Sequence, residues 1–276
     1  PLFMGDPDFD LAVDPGLKEK DGQADEESDD LRSVAMEMRV FRSLPGTRQE
    51  IAEVSQIVGH KDSVVLTGAG ATEEALFEHR NPAILHLATH GFFREDKPLK
   101  PIDQADTLAD MRSFTFISGD QFHAPATFIM PENPLLRSGL VLAGANRAIR
   151  GETDTGQGIV TAEKILNLRL WGTDLVVLSA CDTGMGDIRT GEGVFGLRRA
   201  FNQVGAKSLV MSMWKVPDQE TRELMVAFYR NVFDEGMNYN QALRQAALAQ
   251  LELTRERHGH ANPFYWGGFI FSGDPR

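Results

Sequence analysis

Two residues in this chain carry nucleophilic chemistry if they meet: its single cysteine, Cys181, and a histidine, His90. A thiolate attacks a carbonyl where a thiol does not, and an adjacent imidazole generates it by taking the proton or holding the charge. Both residues end apolar runs that read as buried strands, ILHLAT before His90 and DLVVLSA before Cys181. In open parallel sheets functional groups gather beyond the carboxyl ends of the strands. If these two strands are neighbours, imidazole and thiol face one crevice. Gly91, without a Cβ, lets its N–H come close to a substrate oxygen, and the Cys181 amide is a second donor. Two preorganised donors form an oxyanion hole, each worth about 3–4 kcal/mol. The competing explanation is structural, since a lone cysteine closing a buried strand is often a small inert hydrophobe.

Other chemistry fits less well. His86 and His90 lie four apart, which in a strand separates them by ~13 Å, too far to share one ion, and the glutamate of a metalloprotease helix is missing. The turn Gly68-Ala69-Gly70-Ala71-Thr72 lacks the lysine of a phosphate loop. Asp103, Asp106 and Asp110 lack the glycine and closing glutamate of a calcium loop. The residues thus call for neither metal nor cofactor.

Those groups are carried by 276 residues, 42% hydrophobic and 25% charged, which is enough for one large domain or two small ones. Basic residues number 28 against 40 acidic, a net charge of −12. That balance argues against direct nucleic-acid binding or an anionic membrane surface, which need clustered Lys and Arg. No apolar run approaches the ~18 residues of a membrane span, and the given residues, which begin at Pro1 rather than Met, contain no basic start followed by an apolar stretch of the secretory kind. One cysteine excludes an intrachain disulfide framework and suits a reducing, cytoplasmic setting. Charge is uneven, with eleven acids against two lysines in residues 1–30. Such a stretch is expected to stay a mobile linker or acidic tail, which puts the boundary at residues 1–44 for the tail and 45–276 for the domain.

From Thr47 onward strands and helices alternate. Thr47-Arg48-Gln49-Glu50 has the form of a capping box ahead of an apolar helical stripe. Strands are expected at 63–67, 83–89, 139–143, 174–180 and 208–213, the second stopping at His90-Gly91. Helices are expected near 72, over 162–168, 191–203, 218–232 and 239–257, and residues 264–271 should close the sheet. Residues 92–134 lack a sustained period and read as a long excursion. Strands alternating with helices imply βαβ crossovers, hence an α/β fold with a mostly parallel central sheet.

Five blocks carry a resemblance: HLATHGFF at 86–93, RSGLVLAGAN at 137–146, LVVLSACDTGMG at 175–186, GEGVFGLRRAFNQVGAKSLVMSMWKVPD at 191–218 and NPFYWGGFIFSG at 262–273. In that order they resemble the CHAT family of caspase-like cysteine peptidases, relatives of caspases and separases often joined to tetratricopeptide repeats. The resemblance implies a caspase-hemoglobinase-like three-layer α/β/α sandwich. It also implies a catalytic dyad of His90 and Cys181 that cuts a protein partner, under an upstream repeat module or regulatory protein. It suggests a setting in prokaryotic defence. Asp218 matches the place where separases carry an acidic residue in the first specificity pocket, and Asp182 lies beside the nucleophile. Together they would favour a basic residue before the scissile bond. Asp218 also stands where a helix N-cap belongs, and Trp214 reads as pocket wall or as core. Two alternatives share the fold: a catalytically silent scaffold for protein–protein interaction, and a small-molecule hydrolase using the same dyad.

Overall fold

Strands whose side chains alternate between two apolar faces make the centre of the molecule. A computed structural model describes residues 1–11, 40–93, 133–153, 156–180 and 192–275, with the side chains of 192–195 outside that description. The main sheet is formed by β1 (Leu2–Pro7), β2 (Val64–Gly68), β3 (Ile84–Ala88), β7 (Leu175–Ser179), β8 (Ser208–Ser212) and β9 (Phe269–Gly273). Their spatial order is β2-β1-β3-β7-β8-β9, parallel throughout except for the antiparallel edge β8–β9. A second, three-stranded antiparallel sheet comprises β4 (His90–Phe93), β5 (Ser138–Val141) and β6 (Ile159–Thr161).

Period-2 alternation sorts the core into two layers. Leu2, Met4, Leu85, Leu87, Val176, Leu178, Leu209 and Met211 pack with residues of α2 (Glu73–Glu78), α4 (Ala162–Ile165) and α5 (Glu192–Gln203). Phe3, Ile84, Ala88, Leu175, Val177 and Val210 pack on the opposite side with α1 (Pro45–Val58), α6 (Asp218–Phe233) and α7 (Tyr239–His258). A short helix, α3 (Ala145–Ile149), follows β5. Helices on both faces of a largely parallel sheet give the α/β/α sandwich expected of a caspase-like chain.

Three expectations need correction. The acidic tail does not begin at residue 1: β1 lies between β2 and β3, with every residue buried. Leu2, Phe3 and Met4, at most 1% exposed, bury enough apolar surface to order the segment, which a charge count over thirty residues conceals. The rest of that tail, 12–39, lies outside the described residues, as does the excursion from 94 to 132 with Asp103, Asp106 and Asp110. The capping box is also absent. Pro45 begins α1 three residues early, its N-cap is Leu44, and Thr47 instead accepts the Asp6 amide (2.9 Å) and donates to the Leu44 carbonyl (2.8 Å). Finally, β3 ends at Ala88, before His90-Gly91 as expected, but these residues open a further strand that the sequence reading lacks, pairing antiparallel with β5, His90 opposite Val141 and Gly91 opposite Leu140.

The buried β1 yields a measurable consequence. Phe3→Ala should cost about 3–5 kcal/mol of stability in urea unfolding, whereas a tail residue would leave the midpoint unchanged.

Candidate active site

The parallel pairing of β3 with β7 runs in register from Ile84↔Leu175 to Ala88↔Ser179. Both strands therefore end at the same edge, and the chain leaving β3 turns there into β4. Thr89 fixes the turn by donating its hydroxyl to the Val141 carbonyl (2.5 Å). The next two residues are His90 and Gly91. A Cβ on Gly91 would stand 2.5 Å from the Ala180 carbonyl oxygen, so only glycine lets the two backbones come this close. Ala180 is itself held by β8, its N–H donating to Ser212 Oγ at 3.3 Å. Cys181 and Asp182 follow directly and lie outside the described residues.

His90 is 5% exposed. Its Nε2 is 2.8 Å from the Arg42 carbonyl. A carbonyl only accepts, so Nε2 carries the proton and Nδ1 is the nitrogen of the neutral ring that can take one. The ring packs against Phe9 and Phe41 at centroid distances of 5.2 and 5.1 Å, and these two rings meet each other at 6.1 Å. Arg42 is kept in place partly by Asp6, which accepts from Ser43 Oγ (2.9 Å) and the Leu44 amide (3.0 Å) and pairs with Arg48 (2.9 Å). Asp6 adopts φ 44°, a strained backbone for a non-glycine residue.

His90 opens on a small cleft whose lining includes Glu50, Ser179, Trp214, Lys215 and Asp218. Trp214 is pinned as a wall by its Nε1–H donating to the Phe264 carbonyl at 3.0 Å. Asp218 faces the same cleft but is exposed rather than buried. It is the first residue of α6, and Pro217, with no side-chain bond, is the N-cap. The capping explanation for Asp218 therefore does not hold, although an acid in the first turn still favours the helix dipole.

Sequence reasoning missed the carboxylate beneath it. Glu50, 1% exposed, accepts from Ser179 Oγ (3.2 Å) and meets His86 Nε2 (2.9 Å). The other His86 nitrogen is 3.0 Å from Tyr229 Oη. Burial, reinforced by the Glu50 charge, pushes the Tyr229 hydroxyl well above its usual range and keeps it protonated. A phenol donating to Nδ1 leaves His86 Nε2–H for Glu50, which satisfies both ring nitrogens. His86 thus has a hydrogen-bonding role beneath the cleft. The α1 stripe pointed to a buried face, but Glu50 was assigned to a cap that the helix does not use. Arg42 acts through its backbone, which no residue type announces.

Comparison with known proteins places this geometry. The CHAT domain model matches residues 1–274. Tetratricopeptide repeat protein 28 of Mus musculus and its Homo sapiens counterpart are each 24% identical over 245 residues, 88% of this chain and 9% of theirs. The chain thus spans less than a tenth of the length of those relatives. Among the described residues no helix is long and apolar enough to cross a membrane. With a family match over nearly its whole length and a six-stranded, largely parallel sheet between helices, the chain belongs to the CHAT domain family and has its caspase-like α/β/α fold.

Proposed function

We propose that the protein is a cytoplasmic cysteine endopeptidase that cuts a protein substrate through His90 and Cys181. One observation carries the reading: β3 and β7 end side by side, so Gly91, the residue after His90, stands against Ala180, the residue before the cysteine. In the proposed reaction the Cys181 proton passes to His90 Nδ1, and Sγ bonds to the scissile carbonyl carbon. The Gly91 and Cys181 amides hold the developing oxyanion. The carbon–nitrogen bond then breaks as His90 returns the proton to the leaving amine. Water, deprotonated by the same imidazole, attacks the thioester and releases the second product and the thiol. The Arg42 carbonyl supports a two-residue mechanism, because it fixes the imidazole without a third side chain.

For specificity, Trp214 and Asp218 in the cleft beside His90, with Glu50 buried below, support a preference for Arg or Lys before the scissile bond. Asp182 would add a second charge at the nucleophile. Control by an upstream repeat module is supported by the names of the relatives, which are tetratricopeptide repeat proteins.

An electrophilic peptide ending in Arg should label Cys181, as located by mass spectrometry. His90→Ala should slow labelling by about 100-fold or more; an equal rate in both proteins would favour the silent scaffold. Gly91→Ala, which drives a methyl into the Ala180 carbonyl, should slow it by about 100-fold, and an unimpaired variant would remove Gly91 from the oxyanion hole. Asp218→Ala should reduce selectivity for Arg over Leu peptides by about tenfold, read as a ratio of kcat/KM values. A fall in Tm with that ratio unchanged would make Asp218 a helix residue only.

A further inference from the structure

The walls around His90 come from stretches of chain that no strand or helix fixes. Phe9 lies in the turn after β1, and Phe41 and Arg42 precede α1. Backbone outside a ladder needs other partners to hold one position, and for Phe41 both are supplied by one side chain. Asn146, 0% exposed, accepts from the Phe41 N–H at 2.7 Å and donates to the Phe41 carbonyl at 2.9 Å. An amide N–H only donates and a carbonyl only accepts, so these two bonds also fix which way the Asn146 amide points. The Asn146 backbone N–H donates to the Phe9 carbonyl at 2.9 Å. The neighbouring Gly144 N–H does the same for Asp8 at 3.0 Å, and Arg150 reaches Asp10 at 2.7 Å.

We infer that Asn146 is the positioning residue of the catalytic histidine. Its side chain holds Phe41 and, through it, the Arg42 carbonyl that orients Nε2, while its backbone N–H holds Phe9. The inference rests on the proposed role of His90. Asn146 touches neither substrate nor the reacting atoms. It acts by keeping the imidazole in the orientation set by the bond between Nε2 and the Arg42 carbonyl. Asp6 secures the other side of the same segment at Ser43 and Leu44, so Arg42 lies between two anchors. Loosening one of them lets the carbonyl drift while α1 stays in place.

The rate of Cys181 alkylation by iodoacetamide, followed against pH in the full chain, tests this without a known substrate. In the wild type the histidine should sustain reaction below the ordinary thiol range, and His90→Ala should move the midpoint up. Asn146→Ala should shift the midpoint in the same direction, slowing alkylation at pH 6 by about tenfold. Asn146→Asp, which keeps the volume and the bond from the Phe41 N–H but loses the donor, should shift it less. Phe41→Leu keeps every hydrogen bond while removing one wall, and should also raise the midpoint. The other charged groups facing the cleft, Glu50, Lys215 and Asp218, are unchanged in these variants. If the Asn146 variants lower Tm but keep the wild-type midpoint, Asn146 is a structural residue and the inference fails. Should neither fold, a wild-type midpoint in Phe41→Leu overturns it alone. A wild-type profile in His90→Ala would instead sink the dyad itself, so the two failures are distinguishable.

Discussion

The register of β3 against β7 is the constraint on which the remaining geometry depends. Parallel strands begin and end together, so five matched pairs from Ile84↔Leu175 to Ala88↔Ser179 deliver the two chain exits to one edge. Apolar burial alone would tolerate a slip, because both faces of each strand are hydrophobic. His86 does not. It shares a face with Ile84 and Ala88, where Glu50 of α1 and Tyr229 of α6 meet its two nitrogens. A one-residue slip would turn it into the opposite apolar layer and leave a buried carboxylate and a buried phenol without partners. Uncompensated burial of such groups costs several kcal/mol. Polar groups under the cleft therefore fix the register that apolar groups stabilise.

What the sheet delivers, the small antiparallel sheet turns. β4 leaves β3 at almost a single residue, and Thr89 anchors it to Val141. The sharp exit is why Gly91 faces Ala180 across the gap rather than continuing beyond the strand. A glycine there is required by space alone, since a methyl would collide with backbone that cannot swing aside. The proposed oxyanion role also asks for a residue without a side chain here, so packing and the proposed chemistry ask for the same residue.

Much of this was legible in the sequence where one physical signal dominated. The runs ILHLAT, DLVVLSA and SLVMS are too apolar on both faces to be anything but interior strands, and they are. Errors arose where two signals competed. Thr47 and Glu50 fit a capping box by spacing, yet Pro45 with its preset φ starts the helix earlier and releases both side chains inward. At β1, six buried residues were outvoted by the charge of the stretch that follows. Arg42 could not be found at all, because a carbonyl oxygen is common to every residue and only the fold says where it points. Trp214 and Asp218 were found by motif, but the exposure of Asp218 was not, since it depends on how α6 begins after Pro217.

Helix α1 shows why the site and the stability of the fold are hard to vary independently. On its inner side Ile51 and Val54 pack into the core with Phe3. One turn earlier Thr47 takes the amide of Asp6, whose carboxylate holds the segment that reaches His90. Glu50, between them, joins the buried His86 to Ser179 at the end of β7. At the N-terminus Gly46 lies so close to Asp218 that a Cβ would come within 2.8 Å of its side chain. Four successive functions thus occupy about two turns of a single helix. A shift of α1 large enough to relieve a core substitution would move the histidine support, the cleft floor and the α6 entrance together. Changes that tune the cleft without disturbing the fold are therefore to be sought on the β8–α6 connection, where Trp214 and Lys215 reach the cleft from outside the core.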